Sequence, residues 1–140
     1  MRIYKLNNLI YKNYRELFLG RELTVKFSDM DSVYLYLSKT NFVKVPLFEI
    51  NILKHFINTN IDIYHEINED PVLHGRHNSR YYEPNTGHVI GDIEFLFIMT
   101  YEYYRLSFSL ELEIMDHYNR KKIRLPGNTI FKLQKFLNSI

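Results

Sequence analysis

Alternation of apolar and polar residues, the pattern of a strand with one buried face, recurs along most of this chain. In the first half it runs through ELTVKF at 22–27 and VYLYLS at 33–38, with the turn DMDS between them. A third run follows, in which Val43 and Val45 flank Lys44. The first half therefore predicts at least three antiparallel strands.

The second half repeats this pattern. The segment DIEFLFIMTYE at 92–102 is apolar on both faces, which indicates a central strand. The segment RLSFSLELEI at 105–114 alternates, and DHYNRK then forms a turn into KIRLP at 122–126. The alternation places on the core side Leu106, Phe108, Leu110, Leu112 and Ile114, and on the solvent side Arg105, Ser107, Ser109, Glu111 and Glu113.

Each half ends in a strand, a proline and an amphipathic helix. VKVPLFEINILKHFIN at 43–58 matches IRLPGNTIFKLQKFLN at 123–138 with an offset of 80 residues, aligning Pro46 with Pro126 and Asn58 with Asn138. Proline lacks the N–H that a strand ladder needs and suits the entry of a helix. With no alanine in the chain, these helices depend on packing for their stability.

These elements predict a single α+β domain at 1–140, built from two pseudo-repeats of an antiparallel three- or four-stranded meander followed by one helix. Pseudo-repeat one covers about 1–60 and pseudo-repeat two about 92–140, with the helices packed on one face of the sheets. RIYKL at 2–6 and IDIYHEI at 61–67 are candidates for a fourth strand. The remaining excursion, about 61–91, contains at 68–91 a long proline- and glycine-rich loop.

Charge is unevenly distributed although the net charge is only +2. Residues 61–118 carry three basic and eleven acidic side chains, whereas residues 119–140 carry six basic and no acidic ones. This distribution predicts one positive and one negative surface. The chain has no cysteine, which excludes disulfides and thiolate metal sites, and no run approaches the roughly 20 apolar residues of a membrane span. We expect a cytoplasmic protein.

The segment KKIRLPGNTIFKLQKFL at 121–137, the turn rich in Asn and Lys before it, and the duplicated strand–helix order resemble a group of nucleic-acid-binding folds. These are the PUR domains, the Whirly proteins and the single-repeat family named positive cofactor four. The resemblance implies binding of single-stranded DNA or RNA on the sheet face opposite the helices. We expect a non-catalytic protein without a cofactor.

Such binding needs aromatic rings for base stacking and cations for the phosphates. Tyrosines also suit the solvent face of a strand for packing reasons alone, and basic residues near a helix end can complement its dipole. The predicted nucleic-acid-binding residues are Lys26, Tyr34, Tyr36, Lys44, Arg105, Ser107, Arg120, Lys121, Lys122 and Arg124.

Two other functions stay open. A small interaction or inhibitor protein of the phage or plasmid type would engage a partner protein through the acidic 61–118 segment. A metal-dependent nuclease would need the excursion histidines His74, His77 and His88 to converge, although an isolated HxxH spacing is a weak signal. No GxGxxG, Walker, GxSxG or HExxH motif occurs, so we expect no enzyme. A homodimer formed through helices or sheet edges is compatible with the pattern.

Overall fold

The structure is a computed structural model and describes residues 16–19, 22–27, 32–72, 82–90 and 92–139, with the 82–90 segment described as backbone only. The described residues form an α+β fold that contains two four-stranded antiparallel sheets and two long helices. Each sheet is followed along the chain by one of these helices. The predicted fold class is therefore confirmed at the level of α+β with antiparallel sheets.

Sheet A contains the first four strands in their chain order. They are β1 (Glu16–Leu19), β2 (Leu23–Phe27), β3 (Ser32–Tyr36) and β4 (Phe42–Pro46). The alternation read from the sequence is confirmed, because Leu23, Val25 and Phe27 are buried whereas Lys26 is exposed. One face of sheet A is therefore part of the core and the other face is open to solvent.

Sheet B contains the next four strands, also in chain order. They are β5 (Tyr82–Ile90), β6 (Ile93–Glu102), β7 (Ser107–Asp116) and β8 (Lys121–Pro126). Phe95 and Phe97 of β6 are fully buried, whereas the intervening Leu96 is half-buried. β6 lies between β5 and β7, as its apolar sequence predicted.

The two helices, α1 (Leu47–Ile67) and α2 (Gly127–Ser139), begin directly after the strand-ending prolines Pro46 and Pro126. The buried residues of α1 include Ile50, Leu53 and Ile57, which recur at helical spacing. This arrangement follows from proline chemistry, since the ring ends a strand ladder and presets the backbone for a helix start.

Both helices bridge the two halves of the chain. Phe56 of α1 packs against Phe95 and Phe97 of sheet B, with ring centroids 5.9 and 5.5 Å away. Conversely, Phe136 of α2 packs against Phe27 of sheet A, with ring centroids 6.4 Å apart. Because each helix packs against the other half's sheet, the halves share one core.

Asn58 and Asn138 join the helices through a reciprocal amide contact. Asn58 Nδ2 donates to Asn138 Oδ1 at 2.9 Å, and Asn138 Nδ2 donates to Asn58 Oδ1 at 3.2 Å. Gln134 Nε2 also donates to Asn58 Oδ1, at 2.9 Å. Three side-chain hydrogen bonds thus join the helices where they meet.

The expectations for the fourth strands need correction. IDIYHEI at 61–67 forms the last turns of α1, because Ile61, Tyr64 and Ile67 continue its apolar stripe. The fourth strand of sheet B is β5, which lies inside the 68–91 segment expected to be a loop. RIYKL lies outside the described residues, and β1 occupies the edge of sheet A.

Leu106 was expected to face the core and does not. It lies in the turn between β6 and β7, it has a φ of 51°, and it is 55% exposed. The turn places its last residue in the left-handed region, so the inward alternation begins only at Phe108. None of the described helices combines the length and apolar composition needed to cross a bilayer.

Candidate nucleic-acid interface

The solvent face of sheet A carries aromatic and basic residues in two cross-strand rows. Antiparallel register places Phe18 opposite Thr24, Thr24 opposite Tyr36, and Tyr36 opposite Phe42. A second row places Tyr34 between Lys26 and Lys44. Because side chains on one face of neighbouring strands stand about 5 Å apart, each row brings its members into contact range.

Tyr34, Tyr36 and Phe42 form what we call the aromatic platform. The centroids of Tyr36 and Phe42 lie 4.7 Å apart, and Tyr34 lies 5.9 Å from each of them. All three are only partly buried, although aromatic rings of this size usually contribute to a core. The platform therefore offers ring faces and edges to a ligand at the surface.

Lysines surround the platform. Lys44 Nζ lies 5.8 Å from the ring centroid of Tyr34, and Lys121 Nζ of sheet B lies 4.9 Å from that of Phe42. Both distances are within the range of a cation–π contact. Among the described side chains, no carboxylate forms an ion pair with Lys26, Lys44 or Lys121.

An open cavity of about 560 Å³ adjoins the platform on the same face. Phe18 and Tyr36 lie on two sides of it, and Phe18 is 68% exposed. The other side chains that line the cavity are Glu22, Thr24, Lys26, Leu37, Ser38 and Lys39. A cavity with aromatic walls, lysines and hydroxyl groups has the chemistry to hold a planar, phosphate-bearing ligand.

The solvent face of sheet B differs because its cations are paired. The Arg124 guanidinium donates to Glu113 Oε1 through Nε, at 2.9 Å, and through Nη2, and its Nε lies 3.2 Å from Glu111 Oε2. Lys122 Nζ lies 4.0 Å from the same Glu113 oxygen. Glu113, which the sequence placed on the solvent face, is only 5% exposed.

The carboxylates of Glu111 and Glu113 balance the charge of Arg124, whose guanidinium is protonated with or without them. The hydrogen bond and negative charge of Glu113, together with the charge of Glu111, raise the pKa of the Arg124 guanidinium above its usual value. The guanidinium stays protonated, and its charge is balanced within the protein. Lys122 and Arg124 were predicted to bind nucleic acid, and the structure places both in this ion-pair cluster.

The remaining predicted residues lie in or beside two turns. Arg105, in the β6–β7 turn, contacts Glu102 at 3.5 Å and the Tyr104 ring at 5.5 Å, and Ser107 begins β7. Arg120 is exposed in the β7–β8 turn with a φ of 55°. The structure thus brings Lys26, Tyr34, Tyr36 and Lys44 together on the solvent face of sheet A, with Lys121 beside them next to Phe42. Arg105 lies in a separate turn.

The histidines suggested for a metal site receive no support here. His74 and His77 lie outside the described residues, and His88 is described only by its backbone in β5. Elsewhere His117 Nε2 contacts Glu94 Oε1 at 2.7 Å. In the part of the chain that the structure describes, no three histidine or carboxylate side chains converge as a metal site would require.

Phe18 and Phe42 are site residues that sequence reasoning missed. Phe42 directly precedes the alternating run at 43–45, and the exposed Phe18 lies in ELFL, a short run without clear alternation. Extending the alternation of Val43 and Val45 back by one residue would have placed Phe42 beside Lys44 on the solvent face.

Comparison with known proteins adds no assignment. No protein-family model, no curated protein and no solved structure significantly matches this chain. The resemblance to the PUR, Whirly and positive cofactor four families therefore stays a prediction.

Proposed function

We propose that this chain is a non-catalytic protein that binds single-stranded DNA or RNA on the solvent face of sheet A. The observation that carries this proposal is the aromatic platform beside Lys26, Lys44 and Lys121, none of which forms an ion pair with a described carboxylate. Bases stack on aromatic rings for about 1–3 kcal/mol each, and lysines neutralise the phosphates.

We also propose that the fold consists of two pseudo-repeats with their helices on one face of the sheets. The strand register supports this proposal. The strand-ending proline Pro46 lies opposite Ser32 in sheet A, and the strand-ending proline Pro126 lies opposite Glu111 in sheet B. Asn58 and Asn138, also 80 residues apart, contact each other. Contact between equivalent residues is expected near a two-fold axis.

The function is tested by fluorescence anisotropy with labelled single-stranded DNA, single-stranded RNA and duplex DNA at low salt. We expect the single strands to bind more tightly than the duplex, because paired bases cannot stack on the platform. Binding should weaken as salt rises, since counterions compete for the lysines. Failure to bind either single strand at low salt would reject the proposal.

A protein partner is the second candidate function. Tyr103, Tyr104 and Leu106 expose 62%, 80% and 55% of their surface in one turn, beside the acidic strand β7. Exposed aromatic side chains are typical of protein interfaces. A pull-down in which the Y103S/Y104S variant loses a partner, combined with absence of oligonucleotide binding, would favour this candidate.

A further inference from the structure

The platform continues across the seam between the two sheets. Phe42 belongs to β4 of sheet A, whereas Lys121, whose Nζ lies 4.9 Å from the Phe42 ring, belongs to β8 of sheet B. The exposed Arg120 precedes Lys121 in the β7–β8 turn. A ligand that stacks on Phe42 therefore meets a cation supplied by the other half of the chain.

Sheet B lacks the stacking chemistry at the positions that correspond to the platform. The register pairs Tyr34 with Lys44 in sheet A and Glu113 with Arg124 in sheet B. It likewise pairs Tyr36 with Phe42 and, in the other sheet, Met115 with Lys122. The three aromatic positions of the platform thus correspond to Glu113, Met115 and Lys122.

Charge pairing further separates the two faces. Arg124 is bound by Glu111 and Glu113, and Lys122 approaches Glu113. A phosphate would have to compete with the carboxylates that already contact these cations, and the carboxylate of Glu113 is buried. The described side chains on the solvent face of sheet B, those of β6, β7 and β8, therefore include no aromatic ring and no cation without a carboxylate contact.

We infer that one single strand binds per chain, along a track that crosses sheet A and ends on Lys121 and Arg120, and that the solvent face of sheet B takes no part. This inference rests on the proposed function and specifies where and how many times the ligand binds. The track follows the row of Phe18, Tyr36 and Phe42, perpendicular to the strands.

The length of the track limits the number of nucleotides. Four strands separated by about 4.8 Å give a row about 14 Å wide, and Lys121 extends it beyond Phe42. We expect a site of about four nucleotides, at the low end for single-strand-binding sheets. A strand of about five nucleotides should therefore saturate one chain without room for a second.

Lys121 and Lys122 provide a matched pair for the test, because they are adjacent residues of one type in one strand. The probes are labelled oligothymidylate and oligouridylate of about five nucleotides, which is long enough for one site only. Each variant is tested with the probe that binds the wild-type protein more tightly. K121A and K121M should weaken binding of that probe about threefold or more. Either change should also make the slope of log K against log salt less negative by about 0.7. K122A should leave affinity and slope unchanged, and calorimetry should give one oligonucleotide per chain.

The outcomes separate the inference from the function on which it rests. If wild type binds neither probe, the proposed function fails and the inference fails with it. If wild type binds but K122A weakens binding as much as K121A, or two oligonucleotides bind per chain, the inference is overturned and the function stands. Thermal unfolding of each variant confirms that it remains folded.

Discussion

Phe42 lies at the end of the aromatic row of the proposed track, between Tyr36 and Lys121. Its ring is only partly buried, so its removal should affect a bound base more than the core. We expect Phe42→Ala to weaken oligonucleotide binding by about 1–3 kcal/mol, the range for one stacked base. Anisotropy titrations at fixed salt measure this loss.

Tyr104→Ala is the matched control for Phe42→Ala. Tyr104 is 80% exposed but lies in the β6–β7 turn, away from the platform. We expect this variant to bind like wild type. Equal losses from the two substitutions would show that exposed aromatic area in general, rather than the platform, binds the strand.

Arg124 has a structural role that can be measured separately. Removing its side chain leaves the carboxylate of Glu113, only 7% exposed, without its closest partner. We expect Arg124→Ala to lower the free energy of unfolding by about 1–3 kcal/mol, as for a buried polar group that loses its hydrogen bonds. Urea denaturation at neutral pH measures this change.

Glu113→Gln on the Arg124→Ala background tests the cause of that loss. The neutral amide has no charge to leave uncompensated, so the double variant should recover part of the lost stability. A double variant as unstable as the sum of both single variants would indicate that Arg124 stabilises the sheet through its aliphatic stem instead.

Alternation in the sequence was sufficient to identify Tyr34, Tyr36, Lys26 and Lys44 as residues of one solvent face. It was not sufficient to show which of these rings meet, because hairpin register decides which residues lie opposite each other across the sheet. For the same reason, the sequence did not reveal that Arg124 is balanced by Glu113. These two residues are opposite each other only in the β7–β8 register.

At the scale of elements, α1 buries an apolar stripe on which its stability depends. Leu53 is fully buried and, together with Leu133 and Phe136 of α2, lines the interior that faces sheet A. We expect Leu53→Ala to cost about 2–5 kcal/mol of stability, the range for such a truncation in a core. Thr59→Ala, at an exposed position of the same helix, should cost nothing measurable. Similar losses in both variants would contradict this account of α1.

Element boundaries were predictable where local chemistry decides them and not elsewhere. Pro46 and Pro126 ended strands and began helices as expected, because proline acts through its own backbone. The apolar residues of IDIYHEI fit both the two-residue period of a strand and the period of a helix. In the structure this segment continues the helix α1. β5 was missed because its segment contains Pro84 and Gly87 and pairs with β6 through two register shifts.

In the whole molecule, the charge blocks of the sequence do not translate into separate surfaces. The acidic 61–118 segment contributes β7 and the basic 119–140 segment contributes β8, and these strands are neighbours in sheet B. Some acidic side chains of the first segment therefore neutralise basic side chains of the second, as Glu113 does with Arg124. Within the two sheets and their turns, the cations without described ion-pair partners lie on sheet A and at the seam, whereas Lys54, Lys132 and Lys135 lie on the helices.

Salt dependence tests this distribution of charge in the whole molecule. If Lys26, Lys44 and Lys121 each neutralise one phosphate, log K should fall with log salt with a slope of about −2, at about −0.7 per contact. Lys44→Ala should reduce the magnitude of the slope by one such step. Lys132→Ala removes the same charge from the exposed side of α2 and should leave the slope unchanged, because counterion release depends on phosphate contacts rather than on net charge. A slope that follows the net charge of both variants equally would place the binding surface elsewhere.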